Sequence, residues 1–371
     1  MLIRRHISLA AVLLFLSCAV FAQKKSNEKT ENYSLILSQA EDDFERGNLS
    51  RIPRNVQRGF VKDGFTKEER IRAHRLLTLV HLYSDNEPAA EVELIELLKS
   101  DPEHPINPLT DSEEFQYLYS KFRTKPIFRI AINGGLNRTQ VSTLQAFGTR
   151  DAFDTNETIS AGIGIQYGVA IERELFFRGF ELSLGGLLST KKYSSTNQII
   201  LGEYIEETES RASSPFSELS QTESMSFLDI SLIARYNVNI DGANFVPFIY
   251  GGIEANLMLN ASRKEATRSG AQTISAADQP LFDTNERNKQ NYSIIGGVGF
   301  KYKVKTNFLK FELKYAKGQT NVVNPENRYA NETTIFRLAQ VDDNQSLDVI
   351  SANIGYVISI YNPKKLKKFR N

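Results

Sequence analysis

Tryptophan is absent from this 371-residue chain, and there is one cysteine. A single thiol closes no internal disulfide, so cross-links do not hold the fold. The four histidines are His6, His74, His81 and His104, all before residue 125. The rest of the chain therefore lacks the commonest general base, and a Ser–His dyad there is excluded. Nothing after Ala22 approaches ~18 consecutive apolar residues, so no transmembrane helix is expected. Charge of one sign is also missing. The net charge is +1, which points to no nucleic-acid partner. No glycine-rich stretch sits between a strand and a helix, so no phosphate-cradling loop and no cofactor are expected.

Phenylalanine (23) and tyrosine (15) are plentiful. The first 22 residues carry Arg4 and Arg5, an apolar run from Ile7, and Val20-Phe21-Ala22. That is the pattern of a secretory signal peptide over 1–22, cut before Gln23. The alternative is cleavage before Cys18 with lipidation there. An exported chain without a transmembrane helix is periplasmic, secreted, or a barrel.

Residues 23–124 read as a small helical periplasmic domain. Gln23 to Asn32 is a polar leader. Helical spacing then covers Tyr33–Arg46, Pro53–Phe60, Lys67–Ser84, the segment from Asn86 to Leu98, and Glu113–Phe122. Thr66-Lys67-Glu68-Glu69 is a capping-box signature, and Gly47-Asn48 and Asp101-Pro102 are stops. Paired amphipathic helices resemble tetratricopeptide (TPR)-like units, with another small bundle as the alternative. The apolar stripes form a core in either case. The TPR-like version adds a groove for a protein partner within residues 33–124. His74 and His81 share one helix with no completed ligand set, so surface or packing roles are expected and no metal site.

Beyond residue 124 the period changes to two. In Tyr292–Val304, Tyr292, Ile294, Val298, Phe300 and Tyr302 oppose Ser293, Gly297, Gly299, Lys301 and Lys303. After Lys305-Thr306-Asn307 the alternation resumes, with Leu309, Phe311, Leu313 and Tyr315 against Lys310, Glu312 and Lys314. The same pattern recurs over Ile127–Gly135, Ile159–Ile171, Phe180–Leu188, Ser226–Val238, Pro247–Leu259 and Leu347–Ile360. That makes eight strands, each about the ~9–11 residues that cross a bilayer at a tilt, or a little longer. Short links (Glu172–Gly179, Asn239–Asn244, Lys305–Asn307) alternate with long polar ones (Asn137–Thr158, Lys191–Met225, Ala261–Gln290, Lys317–Gln345). Such alternation is expected of an outer-membrane barrel with short periplasmic turns and long outer loops.

The expected architecture is thus α+β multidomain: a periplasmic TPR-like domain at 23–124, an eight-stranded antiparallel transmembrane β-barrel at 125–362, and a basic periplasmic tail at 363–371. An even strand count puts both mature termini in the periplasm. The tail would touch anionic headgroups or serve as a solubilising end. Side chains fill an eight-stranded barrel. Its lumen is expected to hold Arg129, Glu181, Asp229, Arg235, Glu254, Lys301, Lys310, Glu312 and Lys314 as a paired plug, with a narrow ion path as the alternative. Gly162, Gly164, Gly185, Gly251, Gly252, Gly296, Gly297 and Gly299 fit strongly coiled strands. The loop acids Asp151, Asp154, Glu157, Asp342 and Asp343 read as solvated positions. A carboxylate-only or calcium site there has no ligand spacing behind it.

The leader, the polar lead-in, and strands such as PFIYGGIEANLML (Pro247 to Leu259) and SIIGGVGFKYKV (Ser293 to Val304) resemble the PorT-like outer-membrane barrels of Bacteroidetes over roughly 125–362. Leu97 to Phe128 looks like lead-ins of outer-membrane proteins from the same phylum. The resemblance implies the fold and an outer-membrane location in contact with lipid. One member class is linked to type IX secretion and gliding. The functional expectation is a non-enzymatic barrel whose helical domain binds a periplasmic protein. The alternatives are a small channel or ligand-binding barrel, and an outer-membrane hydrolase.

Overall fold

The computed structural model describes residues 30–61, 64–147, 158–175, 179–200, 216–238, 244–269, 273–338 and 340–366. The expected signal peptide, the polar leader before residue 30, the acids Asp151, Asp154 and Glu157, and tail residues 367–371 lie outside these. The chain divides into a helical unit (Met1–Lys125 with Tyr361–Asn371) and a strand unit (Pro126–Ile360).

The helical unit contains, among the described residues, α1 (Thr30–Glu45), α2 (Ile52–Val61), α3 (Lys67–Tyr83), α4 (Glu87–Ser100) and α5 (Glu113–Ser120). Caps set the helix starts. Thr66 accepts from the Glu69 amide at 3.3 Å, and the Thr66 amide donates to Glu69 Oε2 at 2.8 Å, so both halves of the capping box form. Asn86 and Ser112 supply only the side-chain half, accepting from the Ala89 and Phe115 amides at 3.3 Å to cap α4 and α5. One apolar cluster joins Leu37, Ala40, Ile52, Val56, Phe65, Leu77 and Val80. A second joins Ala90, Leu94, Leu97, Leu98, Phe115 and Leu118, with Ile71, Leu79 and Leu82 packed against it. Helix α3 contributes to both and is the centre of the unit. His74 packs: its ring stacks on Phe60 at 4.4 Å and its Nδ1 lies 2.7 Å from Glu93 Oε2.

Lys364 to Leu366 lie along the α5 exit with their side chains exposed. The Arg123 amide donates to the Lys364 carbonyl at 3.1 Å, the Leu366 amide donates to the Lys121 carbonyl at 2.7 Å, and Lys365 pairs with Glu91 on α4. Backbone pairing with Phe122 and Lys121 satisfies groups that the lysine-rich sequence left to water.

The strand unit has eight long strands: β1 (Phe128–Gln145), β2 (Thr158–Glu174), β3 (Phe180–Ile200), β4 (Phe216–Asn237), β5 (Phe245–Ser269), β6 (Gln290–Val304), β7 (Asn307–Gly318) and β8 (Asn344–Ile360). Sequential neighbours pair antiparallel throughout. β1 also pairs β8, from Phe128↔Ile360 to Gln145↔Asn344, so the sheet closes on itself. Closure leaves no unpaired edge, the condition a sheet must meet in hydrocarbon. Lys305, at φ 57°, and Thr306 make the tight β6–β7 turn. Short dipeptide strands, Ile274–Ser275 and Gln279–Pro280, add to β5.

Alternation sorts the side chains as the period-two pattern requires. Ile163, Val169, Ile253, Ile294, Val298 and Ile354 point outward and are exposed, Ile163 by 70%. Aromatic rings cluster toward the short-turn end of this band. Phe180 meets Tyr236 at 5.0 Å, and Phe300 lies 4.9 Å from both Phe245 and Phe311. Such a girdle marks a membrane interface.

Four strands run far beyond their expected limits. β1 runs to Gln145, β3 to Ile200 and β5 to Ser269, and β4 starts at Phe216, so much of the stretches read as loops (137–158, 191–225, 261–290) is strand. Outward these extensions are polar, for example Lys192, Ser194 and Thr196 on β3, and inward they mix polar Lys191, Ser195 and Asn197 with buried Tyr193, Met225 and Ala261. Above the apolar band no lipid-facing stripe is needed, and without the stripe the sequence signal vanishes.

Strand β2 has glycine where β3 comes close. A Cβ at Gly164 would overlap the carbonyl oxygen of Thr190, which belongs to the backbone and cannot yield. Gly164→Val is expected to block closure of the β2–β3 seam. The mutant should lose the heat-dependent gel-mobility shift of a folded barrel, and wild-type mobility would refute this.

Candidate functional site

The strands deliver their inward side chains into three charged layers, and within each the charges balance. Nearest the short turns, β2, β3, β4 and β6 converge on Glu172, Glu181, Arg235 and Lys301. Arg235 donates to Glu172 Oε1 at 2.9 Å and also holds Glu181. Lys301 Nζ reaches Glu172 Oε2 at 2.7 Å and Glu181 Oε1 at 2.9 Å. Lys310 lies 3.4 Å from Glu172 and 3.3 Å from Glu312, and Arg129 pairs with Glu181 at 3.2 Å and Glu174 at 3.7 Å. Four cations thus meet four carboxylates. The Arg235 guanidinium also lies over the Phe248 ring at 4.7 Å.

In the middle layer Asp229 takes Lys191 at 3.1 Å, Ser189 at 2.6 Å and Asn256 at 2.6 Å. Glu254 takes Lys314 at 2.8 Å and Asn256 at 2.9 Å. Beyond it lies an apolar plate of Val141, Tyr193, Met225, Phe227, Met258, Ala261, Leu281, Val322 and Leu347.

A third layer sits beyond the plate, at the long-loop mouth. Arg263 Nη2 meets Glu223 at 3.0 Å and Asp342 at 2.7 Å, and Arg263 Nη1 meets Thr334 at 3.1 Å. Arg287 pairs with Asp342 at 2.8 Å and with Glu223. Two strand residues, Glu223 and Arg263, thereby hold two loop residues, Arg287 and Asp342. Burial alone would raise the Asp342 carboxyl. The two guanidiniums override it and hold the group well below the usual carboxylate range.

Arg129, Glu181, Asp229, Arg235, Glu254, Lys301, Lys310, Glu312 and Lys314, named from the sequence, all lie on inward faces, and the structure brings them into the two lower layers. Sequence reading missed Glu172, assigned to a turn although β2 continues to Glu174, and missed Lys191, assigned to a loop. It also missed the whole upper layer. Asp342 and Asp343, read as solvated, are 7% and 5% exposed. Period-two extension of β2 by one pair would have found Glu172. Nothing local marks Asp342, whose partners are 79 and 55 residues away. No three-residue His, Cys, Asp and Glu group suited to a metal ion occurs among the described residues.

On the helical unit, α1, α3 and the segment before α5 enclose a cleft of about 460 Å³. Phe44, Leu76, Leu79 and Tyr83 line it, with Glu41, Glu45, Arg72, Arg75 and Asp111 at the sides. Arg72 is tied to Glu41, and Arg75 meets Asp111 at 2.5 Å.

Residues 122–324 match the family model described as "Outer membrane protein beta-barrel domain". The chain belongs to that family. Membership places this outer-membrane barrel in the outer membrane, in agreement with its closed ring and exposed apolar band. No curated protein matches the chain. The barrel is similar to solved structures that include the N-terminal β-barrel domain of Pseudomonas aeruginosa OprF, at 12% identity and TM-score 0.24, covering 63% of this chain and 100% of that one. Ail of Yersinia pestis, in complex with the heparin analogue sucrose octasulfate, aligns at 10% identity and TM-score 0.25, covering 62% and 99%. The outer-membrane enzyme PagL aligns at 12% and 0.25, covering 62% and 99%. Superpositions this loose carry no functional argument.

Proposed function

We propose that this outer-membrane barrel is a non-enzymatic anchor whose helical unit docks a protein partner in the periplasm. The observation that carries the reading is the cleft between α1, α3 and the segment before α5, with its apolar floor of Phe44, Leu76, Leu79 and Tyr83. Tyr83 is 61% exposed there, an amphipathic ring of the kind interfaces use. Helices in which α1 and α3 share one concave wall fit the TPR-like reading. The even strand number, the short turns on the side of both barrel ends, and the leader support the periplasmic side. The paired interior supports an anchoring role, since its carboxylates are held by cations and the barrel has no histidine. The glycine- and tyrosine-rich strands support PorT-like kinship, with a role in envelope assembly or secretion.

Tyr83→Ala with Thr110→Arg, both at the cleft, should reduce crosslinked partner recovered from native membranes at least about tenfold. Heat-modifiable mobility and helical melting should stay unchanged. Recovery of the protein alone from wild-type membranes would refute partner docking, and undiminished capture by the double mutant would refute the cleft.

A second reading, a small channel or ligand-binding barrel, is favoured by inward polar atoms without a protein partner, Asn133 Oδ1, Asn137 Oδ1, Thr139 Oγ1 and Ser351 Oγ. Such atoms suit lumen water. The apolar plate opposes through-flow, and planar-bilayer conductance of the pure protein decides between the two.

A further inference from the structure

The outward face of the barrel changes character abruptly at the long-loop edge of the apolar band. On β1, Leu136 is followed on the same face by Arg138. On β3, Leu188 is followed by Thr190 and Lys192, on β5 Leu259 by Asn260, Ser262 and Lys264, and on β7 Tyr315 by Lys317. The four apolar residues are 40–56% exposed, and all four cations are exposed. None of the four cations has an ion-pair partner among the described residues, whereas the inward cations of the three layers all do. Between Lys192 and Lys264, β4 presents Thr222, Ser224 and Ser226 outward, with Lys192↔Ser224 and Thr222↔Lys264 in register. Ser194 and Thr222 share a hydrogen bond of 2.9 Å. Among the described residues, Asp348 on β8 is taken up by Ser142 at 3.0 Å and the Gly318 amide at 3.1 Å, and Glu265, exposed, directly follows Lys264 on β5. The other edge is built differently. There the aromatic girdle dominates, and on β2 Arg173 follows Ile171.

We propose that Arg138, Lys192, Lys264 and Lys317, with the hydroxyl ladder of β4, form a binding belt for phosphate-bearing lipid headgroups of the leaflet at the long-loop end. A residue just past the last lipid-facing apolar side chain lies at headgroup height. Long basic side chains there extend into the headgroup layer. Phosphate oxygens accept from ammonium, guanidinium and hydroxyl donors alike, and each cation adds to attraction toward an anionic surface. Unpaired cations of one sign around a membrane edge repel one another, and phosphate headgroups neutralise them. The belt lies on the barrel exterior and is independent of partner docking by the helical unit.

The test uses the full-length protein in nanodiscs of phosphatidylcholine containing a minor fraction of diphosphorylated lipid A, with co-purifying lipid counted by native mass spectrometry. Wild type is expected to retain lipid A over phosphatidylcholine. The variant R138Q/K192Q/K264Q/K317Q should retain at least about tenfold less. The charge-conserving R138K/K192R/K264R/K317R should retain it as wild type does, which separates charge from folding. R173Q/K305Q, at the other end, should change nothing. Equal retention by the glutamine variant, or equal loss with R173Q/K305Q, would overturn the proposal. So would displacement of bound lipid A by millimolar inorganic phosphate, which would indicate a site for free anion.

Discussion

Replacing Arg235 with Met is expected to be the most damaging single substitution in the barrel. Arg235 is 1% exposed and faces Glu172 and Glu181, which are equally buried, with Glu312 at 3.9 Å. Its loss leaves the four carboxylates of the lowest layer facing Arg129, Lys301 and Lys310 only. Breaking a buried ion pair from one side costs roughly 3–5 kcal/mol, because an uncompensated charge stays in low dielectric. The urea midpoint of the barrel in lipid vesicles should fall accordingly. Arg235→Lys should fall between, since a lysine lacks the fork that spans two carboxylates and the plane that lies over Phe248. The double variant R235M/E181Q restores neutrality and should recover part of the loss, a coupling that a double-mutant cycle reads directly. A wild-type midpoint for Arg235→Met would show that water reaches this layer freely.

Arg263→Met should release the long loops from the mouth while leaving the band intact. Arg263 is fully buried and is the strand residue that joins Glu223 to Asp342 and Thr334. Without it, the two carboxylates keep Arg287 alone. The loop can move into water, which caps the cost at about 3 kcal/mol, at the low end of the buried-pair range. Limited proteolysis should then cut between residues 319 and 343, with heat-modifiable mobility preserved. Asp342→Asn should have the same signature in milder form. The pH dependence follows from the depressed Asp342 carboxyl. Its stabilisation is complete above the unfolded-state pKa of about 3.9 and is lost as pH falls from there toward the folded value. Protease resistance of the wild-type loop should therefore be flat from pH 8 to about pH 5, and loop release in that interval would refute the assignment.

The band was legible because lipid outside and a polar lumen inside impose a period of two on every strand, and nine inward residues could be named from that alternation alone. Glu172 was hidden by one residue pair at a strand end. Lys191 and the upper arms of β3, β4 and β5 were hidden because their outward faces are polar and their inward faces mix polar and apolar residues, so alternation carries no steady hydropathy contrast. Asp342 was hidden for a different reason: its burial depends on Arg263 and Arg287, which meet it only after the ring has closed. The helices of the lead showed their caps, Thr66 and Asn86, directly. The tail segment Lys364 to Leu366 did not, since its hydrogen bonds go to backbone groups more than 200 residues earlier.

The sequence by itself determined which strands exist, which way the side chains of the apolar band face, and that the chain is a barrel with a helical lead. These follow from local periodicity and caps. The tertiary structure alone decided which charge meets which, that three neutral layers and an apolar plate fill the lumen, that the loops lock the mouth, and that four cations at the band edge have no ion-pair partner among the described residues. Ion pairing and burial depend on distances across a closed ring, mostly between residues 38 to 138 positions apart, and no local pattern carries that information.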